Sequence, residues 1–180
     1  MADKQRLSRT NVGAWVVKCN PQGVWDYFAE LDDSGRAEGS VDDGGWTLGK
    51  TYRNELVHKE DLVVLWVTGT REPGIHEIGW ITGPAYTDTI DDEYLIDESR
   101  RGKHVDSIPF KTLLLNGFVA RLDMKADKAM RGCEPIRVQQ GANPSYLTPA
   151  ETLSLAEFFT PKQLKAAGWT TRLKKLPGKA

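Results

Sequence analysis

The longest apolar runs of the chain lie between Asp61 and Pro84. Leu62 to Val67 is unbroken and rich in β-branched residues; Ile75 to Ile81 is a second run, with the polar Thr68-Gly69-Thr70-Arg71-Glu72-Pro73-Gly74 between them. Pro73 fixes φ and Gly74 accepts a positive φ, so the pattern predicts a long-looped β-hairpin. A period of two places Leu62, Val64, Trp66 and Thr68 on one face and Val63, Leu65 and Val67 on the other. Both faces are apolar, which predicts a central strand covered on both sides, as in a small barrel. On the partner strand His76, Ile78 and Trp80 share a side.

The remaining pattern is organised around this hairpin. Ala14 to Cys19 reads as a first strand. Asn20-Pro21 then resembles a helix cap followed by proline in the first turn, and Val24, Tyr27, Phe28 and Leu31 continue at helical spacing. Residues 32–49 are rich in glycine and acids and predict a mobile surface loop. Trp46 lies in it, either folded back on the core or forming the wall of a pocket. The acidic stretch Asp88 to Glu98, followed by Arg100, Arg101 and Lys103, reads as a solvated excursion. His104 to Phe110 and Gly117 to Leu122 are two strand candidates, the second followed by a short helix through Lys125 to Met130. Pro135 to Val138 is a short strand candidate, and residues 139–144 are turn-rich. Thr148-Pro149-Ala150-Glu151 and Thr160-Pro161-Lys162-Gln163 are capping boxes that open two helices, ending near Phe159 and Ala167.

A length of 180 residues predicts one domain with modest extensions. No apolar run approaches the roughly 20 residues that span a bilayer, and the polar N-terminus does not resemble a signal peptide, so the expectation is a cytoplasmic chain without a membrane partner. Cys19 and Cys133 suggest neither a disulfide framework nor a zinc site. The net charge of −1 is uneven: residues 161–180 carry +6 and residues 1–11 carry +2, leaving −9 between them. Basic ends can contact phosphates, although a solvated tail is the plainer reading. The predicted division is a polar extension over 1–11, a domain over 12–160, and a basic C-terminal helix and tail over 161–180.

Catalytic signatures are missing from the sequence. No Walker loop, GxGxxG, GxSxG or HExxH occurs, and His58, His76 and His104 fall in different elements, with His76 reading as a satisfied sheet histidine. No catalytic residue, metal ligand or cofactor is expected. What stands out is aromatic: six tryptophans, Trp15, Trp25, Trp46, Trp66, Trp80 and Trp169. Aromatic faces can stack on planar bases, and a base swung out of its strand can be held between them.

Several segments, taken in order, resemble an EVE domain, a member of the PUA-like superfamily related to YTH domains. Trp15-Val16-Val17-Lys18-Cys19-Asn20-Pro21 resembles the opening strand and its W-x-x-K-x-N-P ending. Trp46 with Lys50 and Arg53 resembles the loop tryptophan and its basic follow-up. Lys59 to Gly69 resembles G-D-x-V-L-L-W-x-x-G, with Glu60 in place of the usual glycine. Gly74-Ile75 through Gly79 resembles G-I-x-x-x-G, and Gln140-Gly141-Ala142-Asn143-Pro144 with Leu147-Thr148 and Glu151 resembles the terminal Q-G-x-N and L-T-x-x-E segments. The match covers about residues 13–158.

The resemblance implies an α+β fold, a PUA-like mixed β-barrel of five to six strands flanked by helices. It implies recognition of a modified base of the 5-methylcytosine type, in DNA or RNA, within an aromatic cage, with effector proteins of a defence system as further partners. Carried onto matching positions, Trp46 would be the cage wall and Thr47 the small residue beside it, and Lys18, Cys19 and Asn20 would read the base edge. Trp66, Thr68 and Gly69 would lie nearby, Gln140 and Asn143 would close the pocket, and Trp80 or Tyr86 would be the second cage aromatic. Lys50, Arg53, Lys174 and Lys175 are the phosphate candidates. The expectation is a non-catalytic reader; a nucleic-acid-processing enzyme and a protein-interaction module are the alternatives.

Overall fold

The computed structural model describes residues 6–141 and 143–177. Its seven strands are β1 (Ala14–Cys19), β2 (Val41–Leu48), β3 (Leu62–Val67), β4 (Gly74–Ile81), β5 (Tyr86–Thr89), β6 (His104–Ala120) and β7 (Ser145–Leu147). They form one sheet in the order β2-β6-β4-β3-β1-β7, with β5 also pairing β6. The β1/β3 pair is parallel and the others are antiparallel. The helices are α1 (Tyr27–Ser34), α2 (Arg121–Ala126), α3 (Glu134–Arg137), α4 (Pro149–Ala156), α5 (Pro161–Ala166) and α6 (Trp169–Arg172).

The hairpin of β3 and β4 is central, as its two-sided apolar pattern predicts. Every residue of β3 is buried, and alternate residues enter two separate cores. Leu62, Val64 and Trp66 pack with Leu155, Phe159, Trp169 and Leu173 from the C-terminal helices. Val63, Leu65 and Val67 pack with Trp15, Val17, Tyr27 and Phe28. Each large side chain so buried stabilises by about 1.5–3 kcal/mol. Both C-terminal capping boxes form: Thr148 Oγ1 accepts from Glu151 N at 3.3 Å while Glu151 returns a 2.7 Å contact, and Thr160 and Gln163 repeat the pattern. His76 is a satisfied sheet histidine, hydrogen-bonded to Glu72 O at 2.8 Å and stacked on Phe118.

Five expectations are corrected. The sheet is open: β2 and β7 end its strand order and do not pair, so the barrel is not closed. The stretch expected to be a mobile loop contains β2, antiparallel to β6 in a register that sets Trp46 opposite Ile108. Its glycines reflect close approach, since a Cβ on Gly44 would lie 3.1 Å from the Phe110 ring and one on Gly45 3.2 Å from Ile108 O. Asn20-Pro21 does not start the helix: Asn20 O accepts from Gly23, Val24 and Trp25 in a turn, and Asp26 is the cap of α1. The two strands predicted beyond His104 are one strand of 17 residues, bent where Gly117 takes φ +80°. Finally, Pro135 to Ile136 belongs to helix α3, since proline is favourable in a first helical turn.

Buried polar groups tie the elements down. Glu77 on β4 accepts from Tyr27 Oη at 2.9 Å and from Arg36 Nη1 at 2.9 Å, which anchors both ends of α1 to the sheet. Asp61 accepts from the indole of buried Trp15 at 2.9 Å, from His58 N at 2.8 Å and from both Arg9 terminal nitrogens at 2.7 and 2.8 Å. Glu60 beside it has φ +76°, a conformation that favours glycine, and its carboxylate pairs with Arg172 at 2.6 Å. Asp61→Ala would strand the Trp15 indole N–H, so it is expected to lower stability by about 2–3 kcal/mol. Urea unfolding would show this as a lower midpoint with an unchanged slope.

Candidate functional site

Three backbone segments converge at the open edge of the sheet: the end of β1 at Lys18–Asn20, Gly45–Thr47 in β2, and residues 139–141 and 143 before β7. Asn143 joins them. Its Oδ1 accepts from Lys18 N at 3.2 Å, and its Nδ2 donates to Thr47 O at 3.2 Å and more weakly to Lys18 O at 3.5 Å. The Trp46 indole donates to the same Lys18 O at 3.2 Å, and Gly49 N donates to Asn143 O at 2.6 Å. The Lys18 ammonium donates to Gly141 O at 3.0 Å and reaches Val138 O and Gln139 O at 3.4 and 3.5 Å. Burial lowers its pKa, with the charge of Glu134 opposing and that of Arg53 adding to the effect.

These segments line a cavity of about 400 Å³, within the range typical of small-molecule sites. The facing wall is Val24, Trp25 and Glu30, and Ile90, Leu95 and Arg100 close the rim. Trp25 is placed by a β-bridge to Leu95, flanked by bonds from Asp26 N to Tyr94 O at 2.8 Å and from Ile96 N to Val24 O at 2.9 Å. The acidic excursion is therefore structural: Ile90 and Leu95 are buried beneath it, while most of its charges face solvent. The Trp25 and Trp46 ring centroids are 6.2 Å apart with planes inclined at 59°. Trp25 Nε1 donates to Glu30 Oε2 at 2.6 Å. Burial raises the Glu30 pKa, and the Trp25 hydrogen bond only partly offsets this.

Eight of the eleven residues expected to bind a base line this cavity: Lys18, Cys19, Asn20, Trp46, Thr47, Thr68, Gln140 and Asn143. Thr68 is committed to the backbone, its hydroxyl donating to Cys19 O at 3.0 Å. The Cys19 thiol is buried, donates to Trp25 O at 3.6 Å, and has its pKa pushed far up by burial. Trp66, Gly69 and Trp80 are elsewhere. Trp66 is 2% exposed in the core under the C-terminal helices, Gly69 abuts the Gln22 side chain, and Trp80 lies beneath the Arg172 guanidinium at 4.7 Å. Tyr86 stands outside on β5, so neither Trp80 nor Tyr86 supplies a second aromatic. Trp25 does, and its only sequence signal was its membership of the tryptophan set.

The basic candidates also separate. Arg53 is occupied by Glu134 at 2.7 and 2.8 Å and is 14% exposed, so it is not available to a phosphate. Lys50 borders a different cleft with Thr87 and His104, and Lys174 and Lys175 are exposed on the last described turn, away from the cavity lining. Arg100, which the charge pattern assigns to a solvated excursion, is an exposed residue of the cavity lining.

No family model matches this chain, and no curated protein matches it significantly. Solved structures do. A hypothetical protein from Leishmania major superposes with a TM-score of 0.58 at 13% identity, over 84% of this chain and 96% of that one. The DUF55 domain of human thymocyte nuclear protein 1 superposes with a TM-score of 0.52 at 16% identity, over 81% and 97%. The fold is that of the DUF55 domain. Human THYN1 protein in complex with 5-methylcytosine-containing DNA gives 0.48 at 16% identity, over 82% and 99%, and a likeness at that level carries no ligand across.

Two outcomes are expected of the cavity floor. Asn143→Ala would leave Thr47 O and Lys18 N without their partner, costing about 1–3 kcal/mol, and amide exchange at Lys18 would accelerate. Glu134 is the second case. Burial raises its pKa, but the Arg53 hydrogen bonds, the Ser145 hydroxyl and the Lys18 charge outweigh it and hold the carboxyl below its ordinary value. The unfolded chain then binds more protons than the folded one, so this stability is present above an ordinary value near 4.5 and is lost as pH falls below it. Thermal melts between pH 7 and 3 should show a steeper acid loss for the parent than for Glu134→Gln.

Proposed function

We propose that this chain is a non-catalytic reader of a modified nucleobase, of the kind its EVE resemblance implies. The observation that carries the proposal is the inclined pair of tryptophans, Trp25 and Trp46, facing one cavity whose floor is polar. A base swung out of its strand stacks on Trp46, while Trp25, tilted away from parallel, meets its edge or a ring substituent such as a methyl group. Asn20, Thr47 and main-chain groups at the end of β1 read polar atoms of the base. Arg100 at the rim and the exposed Lys50, Lys174 and Lys175 are the available phosphate partners.

The state of the titratable groups favours binding over chemistry. Lys18 is pinned against carbonyls, and the buried Cys19 thiol is held in its neutral form, so neither is poised as a nucleophile or base. The reading is tested by titrating oligonucleotides with and without 5-methylcytosine, single-stranded and duplex, at two salt concentrations. Trp46→Ala is expected to weaken binding to the modified strand by about 1–3 kcal/mol, roughly five- to 150-fold. Equal binding of modified and plain strands, weakening together in salt, would reduce the interaction to charge alone.

A further inference from the structure

Glu30 is the single acidic side chain among the residues that line the cavity. It stands on the first turn of α1, whose cap Asp26 accepts from Ala29 N at 3.1 Å and whose Tyr27 and Phe28 are buried in the core behind it. That packing fixes which way the turn faces, and it places Glu30 in the cavity lining with Trp25 and Trp46. Oε2 is taken by the Trp25 indole at 2.6 Å. Oε1 accepts nothing from the protein among the described residues. The less exposed cations nearby are engaged elsewhere: Lys18 with the 138–141 carbonyls and Arg36 with Glu77 at 2.9 Å. Most other polar groups of the lining are already spent, Asn143 and the Trp46 indole on the β1/β2 junction and the Thr68 hydroxyl on Cys19 O. Oε1 is not sealed from solvent, so water serves it until a ligand enters, and a ligand that displaces that water must supply a donor in its place.

We propose that Glu30 is the specificity-determining residue of the cavity, selecting bases that carry an exocyclic amine, whose N–H its free oxygen accepts. This rests on the base-reading function proposed above and deepens it. A carboxylate accepting from a base amine is a favourable contact. A base with a carbonyl at that position would set two acceptors face to face, stripping the oxygen of water without giving it a donor. Trp25 acts here as a positioning residue, because its indole N–H holds one carboxylate oxygen and thereby fixes where the other points.

The decisive comparison uses pairs that differ at the amine and its neighbouring ring nitrogen but scarcely in shape. Single-stranded oligonucleotides carry 5-methylcytosine or thymine at one position, and a second pair carries adenine or hypoxanthine; binding is followed by fluorescence anisotropy. For whichever ring enters, the amine member is expected to bind the parent roughly ten- to 100-fold more tightly than its carbonyl counterpart. The two pairs also distinguish a pyrimidine amine from a purine one. Glu30→Gln keeps an oxygen for the Trp25 indole and gains an amide that can donate to a carbonyl. It is expected to bind the carbonyl member more tightly and to narrow the ratio to within about threefold. A structural role for Glu30 would weaken both members alike and leave the ratio standing. Equal binding of the two members by the parent overturns the assignment without any variant, as does a full ratio retained in Glu30→Gln. Either result leaves the base reader intact. Failure of the parent to bind any of the four strands removes the base reader and this assignment together.

Discussion

One side-chain amide closes what the backbone leaves open. β7 has three residues and is used up on β1, while β2 is paired only with β6, so the two edges cannot form a ladder. Unpaired edges are a liability unless something satisfies them. Asn143 reaches across with an acceptor and two donors, nearly the whole capacity of its side chain. Lys18 O consequently receives two donors, the Asn143 amide and the Trp46 indole. The position of Trp46 therefore follows from the same constraint that joins β1 to β2. A ladder closed by ordinary strand pairing would have filled this gap with backbone, and the cavity would not exist.

The opposite wall is held by a different and more distant device. Trp25 follows a turn organised by Asn20, and the segment around Tyr94–Ile96 fixes it by backbone bonds. That segment carries its acids outward, where Arg101 meets Asp91 and Glu98 in exposed pairs of small energetic value. Its stability comes from Ile90 and Leu95 beneath, not from the charges that dominate its composition. Floor and wall thus depend on separate parts of the chain, and the angle between the two tryptophans is set by tertiary packing.

Local chemistry was legible where it sufficed. The alternation of β3 assigns Leu62, Val64 and Trp66 to one core and Val63, Leu65 and Val67 to the other, as found. Both Thr-Pro caps are complete within four residues, so nothing distant can alter them. β2 was illegible because its glycines and aspartates have low strand propensity, and the β6 side chains and backbone that explain the glycines lie far along the chain. Asn20-Pro21 misled because an Asx-type turn and a helix cap use the same residues. Most of the floor could be read from the resemblance, whereas Trp25 and Glu30 could not, since Trp25 is placed by distant Leu95 and Trp46, and Glu30 is in turn held by the Trp25 indole.

The placement of the cavity follows from which face of the sheet the helices cover. α4 to α6 and the turn after them seal the face that bears Trp66; the Trp169 indole donates to Gly79 O at 2.9 Å, and a Cβ at Gly79 would collide with the Lys111 carbonyl. On that side Leu62, Val64 and Trp66 are packed against Leu155, Phe159 and Trp169. The other face is covered only by short α1 and by loops, and its core grades into the half-buried Trp25 and Trp46 at the open edge. Trp66 and Trp15 occupy opposite faces of neighbouring strands, and both are fully packed. A tryptophan on either strand thus serves the cores, and the aromatic surface left for a planar ligand comes from the one edge strand and the one turn that meet at the seam.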